Sequence, residues 1–377
     1  LNPFQVPVVI GDSAEIGAFA SGLLSGQLEQ ATECHRLLHQ AKNLLKGGAI
    51  AERKAMKQLV WHNLSAEEQQ QCPPLLLIGN DTTLGAVSAG GVSWLLNSAL
   101  PVKIIVLAEM DLGFAGEAGL HGSYHTHADA RAELALSALA QRNAYVAQSS
   151  LAHPNHLNQS MREALHHPGP ALLRIHAPSP QRHGFAPEQT LIQAARIVAG
   201  RAFPLFRYNP QRSGVFGTRI TLEGNPDEVT SVAHWAYYER RFRGLFHPIS
   251  SEDLAPTPLL EWLSLDQRGQ DSKTPTISEE NMEVAIDLPF ARRMGQLLDQ
   301  WQMLQELAGV VTPFTEQVKQ EVESAVAANH QAELDALRES HQQALQALRE
   351  QLEGEVSQRI TSRLSALVER STPTTLV

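Results

Sequence analysis

Four apolar runs of strand length, at residues 75–79, 102–108, 144–149 and 171–177, are separated by helix-like stretches near 83–98, 129–142, 156–166 and 187–200. Runs such as Leu75-Leu-Leu-Ile78 and Val102-Lys-Ile-Ile-Val-Leu-Ala108 lack the alternation of a strand with one wet face, so both faces must be covered. Apolar strands alternating with helices imply crossover connections, and the expected fold class is α/β, a mainly parallel sheet covered by helices. With 377 residues and 43% hydrophobic content the chain can build one large core plus an appendage, or two domains, without staples.

Upstream, Asp12-Ser-Ala-Glu15 has the form of a capping box, and Leu24, Leu28, Leu37, Leu38 and Leu44 follow at helical spacing, which predicts a helix to Leu45. Downstream, Pro210, Gly214, Gly217, Gly224, Pro226, Pro256 and Pro258 break the chain into pieces, and 267–275 reads as an exposed polar linker. From Ser278 onward the composition is helical, and residues 330–340 are followed by a near copy at 341–351. Leu334, Leu345 and Val356 share one phase, and Leu337 and Leu348 another. A period of eleven, about 3.67 residues per turn, keeps such a stripe facing one partner and predicts a coiled coil. A single solvated helix folded back on the body is the competing reading, and residues 371–377 are expected to fray. The predicted domains are 1–208, the sheet domain; 209–277, an irregular extension and linker; and 278–377, a helical tail.

A formal charge of −10 argues against a nucleic-acid groove or an anionic membrane surface as the main partner. Cys34 and Cys72 have no CxxC spacing and read as buried thiols in a reducing compartment. No apolar stretch approaches the length of a membrane span and no signal-peptide pattern opens the sequence, so the expected location is cytoplasmic. The chain begins at Leu1, which fits a segment of a longer protein.

Several motifs fall in collinear order on this frame. Gly79-Asn80-Asp81-Thr82 closes the first apolar run, and Gly90-Gly91 precedes Val92-Ser-Trp-Leu-Leu96. Asn143-Ala-Tyr-Val-Ala-Gln148, Arg162-Glu-Ala with His167-Pro-Gly-Pro-Ala171, His183-Gly184 and Phe203-Pro-Leu-Phe-Arg-Tyr-Asn-Pro210 follow, with Asp12-Ser-Ala-Glu-Ile-Gly17 upstream. Over roughly residues 8–210 this series resembles the thiamine-diphosphate domain of the pyruvate:ferredoxin (flavodoxin) oxidoreductase family. The resemblance implies a thiamine-diphosphate-binding fold in which a strand ends in Gly-Gly-Asp-Gly. There the Asp holds a Mg²⁺ that bridges to the diphosphate, and an Asn-containing loop completes the coordination. It also implies a broad buried surface against another domain, hence a homo-oligomer or association with other oxidoreductase domains or subunits.

The departures from the family pattern are chemical. Thr82 puts a β-branched side chain where the family has its second Gly, although Asp81 matches the family Asp. The loop Glu109-Met-Asp-Leu-Gly-Phe114 lacks Asn-Thr-Gly, with Phe114 near the place of the Asn. Glu109 or Asp111 would have to serve as ligand, and two carboxylates beside a diphosphate repel it unless a metal offsets both. Pro180 stands where the family has a cluster-binding cysteine, so this segment is expected to hold no iron–sulfur cluster. The expectation is a degenerate domain, a pseudoenzyme without cofactor, that serves assembly or partner binding. The alternative is an active part of a 2-oxoacid:ferredoxin oxidoreductase that decarboxylates a 2-oxoacid. Its cofactor-binding residues would be Gly79, Asn80, Asp81 and Thr82, and its Mg²⁺ ligands Asp81, Glu109 and Asp111.

Other clusters have plainer readings. His121, His125, His127 and Asp129 offer a donor set of the kind that holds Zn²⁺, but the Gly-rich surroundings favour a solvated loop. His166-His167 suits a helix end, and His35 and His39, one turn apart, suit a surface. Trp235, Tyr237 and Tyr238 with Arg240, Arg241 and Arg243 form either a cation–aromatic patch or, the favoured reading, packing against the body. Neither a P-loop, nor a GxGxxG fingerprint, nor a Ser-His-Asp signature occurs.

Overall fold

The computed structural model describes residues 5–11, 13, 15–46, 60–84, 90–112, 114, 134–250, 254–279, 282–312 and 314–370. The chain falls into two compact units, Leu1–Val311 and Thr312–Val377.

In the first unit the apolar runs become strands at the expected places. β1 (Val8–Ile10), β2 (Leu75–Asn80), β3 (Val102–Ala108), β4 (Tyr145–Ser150) and β5 (Ala171–His176) are mutually parallel, while β6 (Phe206–Tyr208) and β7 (Ile220–Thr221) add on antiparallel. The order is β1-β2-β3-β5-β4-β6-β7. Every residue of β4 and β5 is buried, which is why these segments show no alternation. From β3 the chain passes over the place of β5 to form β4, then returns to form β5 between them, so the strand order reverses at the β5–β4 pair. Registers of Asn80 with Leu107, Ala108 with His176 and Ser150 with His176 bring the carboxyl ends of β2 to β5 to one edge. That edge, at a reversal of strand order, is where open α/β sheets place ligands.

The helix Ile16–Leu45 buries Ala20, Leu24, Leu28 and Ala31, but Leu37, Leu38 and Leu44 are exposed, so the stripe is used only in its first half. Glu15 takes the N-cap position without a side-chain cap, so it does not act as the closing residue of a capping box; Asp12 lies outside the described residues. The helices Gly90–Asn97, Leu134–Gln141, Pro154–His166 and Thr190–Ala199 lie in the stretches that periodicity marked.

The segment expected to be irregular holds β8 (Phe246–Pro248), β9 (Ala255–Pro258) and most of β10 (Lys273–Glu279), and these form a second sheet with β11 (Met282–Ile286), a strand inside the stretch from 278 expected to be helical; the order is β8-β11-β10-β9. Pro256 and Pro258 are tolerated because β9 is an edge strand, paired only with β10. The polar stretch read as a linker is instead the helix Gln267–Asp271 followed by β10. Asp266 caps that helix, its Oδ1 accepting from the Gly269 N–H at 2.9 Å. The fully buried Trp262 donates its indole N–H to the carbonyls of Gln270 and Lys273, both at 3.1 Å, and pins the stretch to the core. The helix Leu288–Leu307 buries Phe290, Ala291, Met294 and Leu297 in the same cluster as Trp235 and Trp262.

The second unit is one helix, Thr315–Arg370, of 56 residues. At 1.5 Å per residue it spans about 84 Å, and every side chain from residue 318 to 367 is exposed. Among the described residues no helix is long and apolar enough to cross a membrane.

Candidate functional site at the strand ends

Gly79 closes β2 against its own downstream helix. A Cβ added there would lie 2.9 Å from Leu84 Cδ1 and 3.3 Å from the Gly11 carbonyl, so a side chain at this turn would have to displace Leu84. The Asn80 Oδ1 accepts from the Thr83 N–H at 2.9 Å and from the Thr83 hydroxyl at 2.7 Å, capping the helix Asp81–Leu84.

Asp81 points across to the loop after β3. Its Oδ2 accepts from the backbone N–H groups of Glu109 at 3.2 Å and Met110 at 3.4 Å, and stands 3.9 Å from Arg174 Nη2. The carboxylate thereby braces a loop in which Met110 has φ of +52°, a conformation that costs free energy for a residue with a side chain. Glu109 forms an ion pair with Arg182, whose Nη2 also stands 3.4 Å from the buried Asp111 Oδ2. Burial pushes the Glu109 carboxyl up, Arg182 opposes that and Asp81 reinforces it, with a net rise.

A second layer supports this one. Arg241 donates from Nη2 to the Glu109 carbonyl at 3.0 Å and from Nε to Glu239 Oε2 at 2.6 Å, and neither side chain of that pair is exposed. Gln193 Nε2 donates to Glu239 Oε1 at 3.2 Å, and His183 Nδ1 lies 3.6 Å away from the same oxygen. Burial alone would raise the Glu239 carboxyl. Arg241, with His183 and Gln193, outweighs it and holds the group down to about 2. His176, at the end of β5, is fully buried and donates from Nδ1 to the Ala108 carbonyl at 3.0 Å, and burial lowers it to about 3, so it is neutral. Arg174 donates to Gln148 Oε1 at 2.9 Å and lies 5.0 Å from the centre of the Phe203 ring.

The structure places Asp81 against the backbone of Glu109 and sets Glu109 and Asp111 on Arg182, with Arg174 and Arg241 beside them, but the three carboxylates do not form a group placed to hold a metal ion. The motifs alone do not announce the arginines. Arg174 is visible as a lone cation inside the apolar strand Ala171-Leu-Leu-Arg-Ile-His176, where a charge must be paired. Arg182 lies two residues past Pro180 and carries no signal of its own. Pro180 itself opens the helix Pro180–His183 at a position where no N–H is needed, and the Ser179 Oγ accepts from the Arg182 N–H at 3.4 Å. The Thr82 side chain lies outside the described part of the structure.

Of the remaining candidates, His121, His125, His127 and Asp129 lie outside the described residues. Among the described residues no group of three or more His, Cys, Asp or Glu is placed to hold a metal ion. His166 is exposed at its helix end, with Nδ1 2.7 Å from the Arg162 carbonyl oxygen, but His167 is buried, and burial together with Lys103 lowers it to about 4. His35, expected at the surface, is buried, its Nδ1 3.9 Å from Glu68, which also pairs with His39. Cys72 is buried and its thiol is pushed up to about 11 by burial, whereas Cys34 is half-buried.

No protein-family model matches the chain. A probable pyruvate-flavodoxin oxidoreductase of Escherichia coli (strain K12) is 26% identical over 236 residues, which cover 59% of this chain and 17% of that protein. The chain therefore spans a small fraction of the relative's length, and the distant similarity supports a relationship to an oxidoreductase-like family.

Proposed function

We propose that the first unit carries a degenerate thiamine-diphosphate-binding fold, kept for assembly and not for cofactor chemistry, and that the helix Thr315–Arg370 joins it to a second copy. The observation that carries the reading is the internal use of the expected ligands. A Mg²⁺ that bridges to a diphosphate needs hard carboxylate oxygens turned toward it in octahedral geometry. Here Asp81 Oδ2 is engaged by two backbone N–H groups and approached by Arg174, its Oδ1 is buried with no hydrogen-bond partner among the described residues, Glu109 and Asp111 both face Arg182, and no group of three or more His, Cys, Asp or Glu among the described residues is placed to hold a metal ion. Guanidinium groups already neutralise the charge that the metal would offset, and Gly79 packs against Leu84. This donor set does not fit the group.

The tail supports the assembly half of the proposal. The eleven-residue phase of Leu334, Leu345 and Val356 continues to Leu367, and that of Leu337 and Leu348 reaches back to Val326, all exposed. A helix this long with one apolar stripe gains most of its stability from packing that stripe. A stripe that repeats its own spacing matches a second copy of itself.

The similarity to a probable pyruvate-flavodoxin oxidoreductase favours the second reading, an active oxidoreductase part. Calorimetric titration of thiamine diphosphate with Mg²⁺ into the full chain separates the two. The degenerate reading expects no heat at millimolar ligand from folded protein. Micromolar binding that disappears in Asp81→Ala overturns it.

A further inference from the structure

The aromatic and basic stretch from Trp235 to His247 is divided by the fold into two sets. Trp235, Glu239, Arg241 and Phe242 turn inward and are buried, while Arg240, Arg243 and His247 are exposed beside the half-buried Tyr237 and Tyr238. The outward set lines a cavity of about 510 Å³ whose lining also includes Met282, Glu283 and Val284 of β11. That volume lies within the range of small-molecule sites.

The aromatic wall is held in place before any ligand arrives. Tyr237 meets Tyr238 edge to face at 5.2 Å and Phe246 edge to face at 5.6 Å. Tyr238 is fixed from three further directions: the Arg196 guanidinium lies 3.6 Å from its ring centre, His234 packs edge-on at 5.2 Å, and its hydroxyl donates to Glu279 Oε2 at 3.3 Å. Gly184, also on the wall, has φ of +77°, and a Cβ there would lie 2.6 Å from Arg240 Cβ, so the loop backbone is pressed against the arginine. Fixed rings beside guanidinium forks are the elements that bind a flat anion, through ring contact on one side and charge-assisted hydrogen bonds on the other.

Charge favours the same ligand. The chain carries a formal −10, yet the described lining of this cavity includes Arg240 and Arg243 beside Glu283. Among the described residues Arg243 has no ion-pair partner. We infer that this cavity binds a small aromatic anion, its ring on Tyr237 and Phe246 and its carboxylate or phosphate on Arg240 and Arg243. This site is separate from the cofactor question, since it uses none of Asp81, Glu109 or Asp111.

The test is calorimetric titration of 2-naphthoate, 2-naphthyl phosphate and the neutral 2-naphthylmethanol into the full chain and into the Arg240→Ala/Arg243→Ala variant. At least one anion is expected to bind at submillimolar concentration, about tenfold or more tighter than the alcohol, with that advantage lost in the variant. The tighter of the two anions identifies the head group. Glu283→Gln, which removes the opposing charge from an exposed position, is expected to tighten anion binding about two- to threefold, a gain that misfolding does not produce. Failure of both anions to bind at millimolar concentration, equal binding of the alcohol, or unchanged affinity in the arginine variant would overturn the assignment.

Discussion

In the body, Asp81, Glu109 and Asp111 at the strand ends each lie near a guanidinium from a distant part of the chain, and the buried Glu239 pairs with Arg241 two residues on. In the tail, each apolar side chain from Val318 to Leu367 is left facing solvent. One region buries charged groups and the other leaves apolar groups exposed. The buried charges around Glu239 and Glu109 are expensive to remove from water and persist because partners lie within hydrogen-bonding distance. The helix has exposed ion pairs such as Arg349 with Glu353, which stabilise little, and no packing for its leucines. An unpacked stripe gains from a partner.

The largest effect that would sharpen this contrast is on association. Replacing Leu345 and Leu348 by Asp is expected to cost about 3–6 kcal/mol of pairing free energy per chain, from two leucines at about 1.5–3 each in each copy. Sedimentation equilibrium reads that as loss of the dimer, with an unchanged melting point for the body. In the body, Arg241→Ala leaves Glu239 buried beside no guanidinium and is expected to cost about 3–5 kcal/mol in chemical denaturation. A cost below about 1 kcal/mol would show that the centre is not held by these pairs.

Acid should separate two steps within the body. His176 and His156 are held neutral by burial, at about 3 and about 4, below their unfolded values. Protonation in that range therefore favours the unfolded chain. The contribution is complete above about pH 6.5 and is lost as pH falls toward 4, reaching about 2 kcal/mol for His176 at pH 5. Glu239, lowered to about 2, acts in a more acid window: its contribution is present above about pH 4.5 and is lost as pH falls through 2. Denaturation midpoints that do not change between pH 7.5 and 5 would contradict the burial of the histidines. The smallest effect belongs to the tail, where Arg349→Ala is expected to change stability by less than about 0.5 kcal/mol.

The sheet was legible because its strands are continuous apolar runs and its crossovers carry helical periodicity, as Leu75–Asn80 and Val102–Ala108 illustrate. The second sheet was hidden behind prolines that an edge strand tolerates, and its polar approach at 267–275 is ordered by Trp262, a contact that no local pattern announces. At the strand ends, spacing and motif order brought Asp81, Glu109 and Asp111 onto one short list. Their partners Arg174, Arg182 and Arg241 come from β5, the Pro180 turn and the segment after Tyr238, distances along the chain that only the fold closes. Arg174 alone carried a local signal, a cation in a buried strand.

The comparison is tested most directly by the mass in solution of the full chain beside a chain ending at Val311, measured by light scattering at the same concentration. A dimer that becomes a folded monomer on removal of the second unit is the expected result. A full chain that is monomeric throughout would show that the exposed stripe needs no second copy and would contradict assembly through the tail.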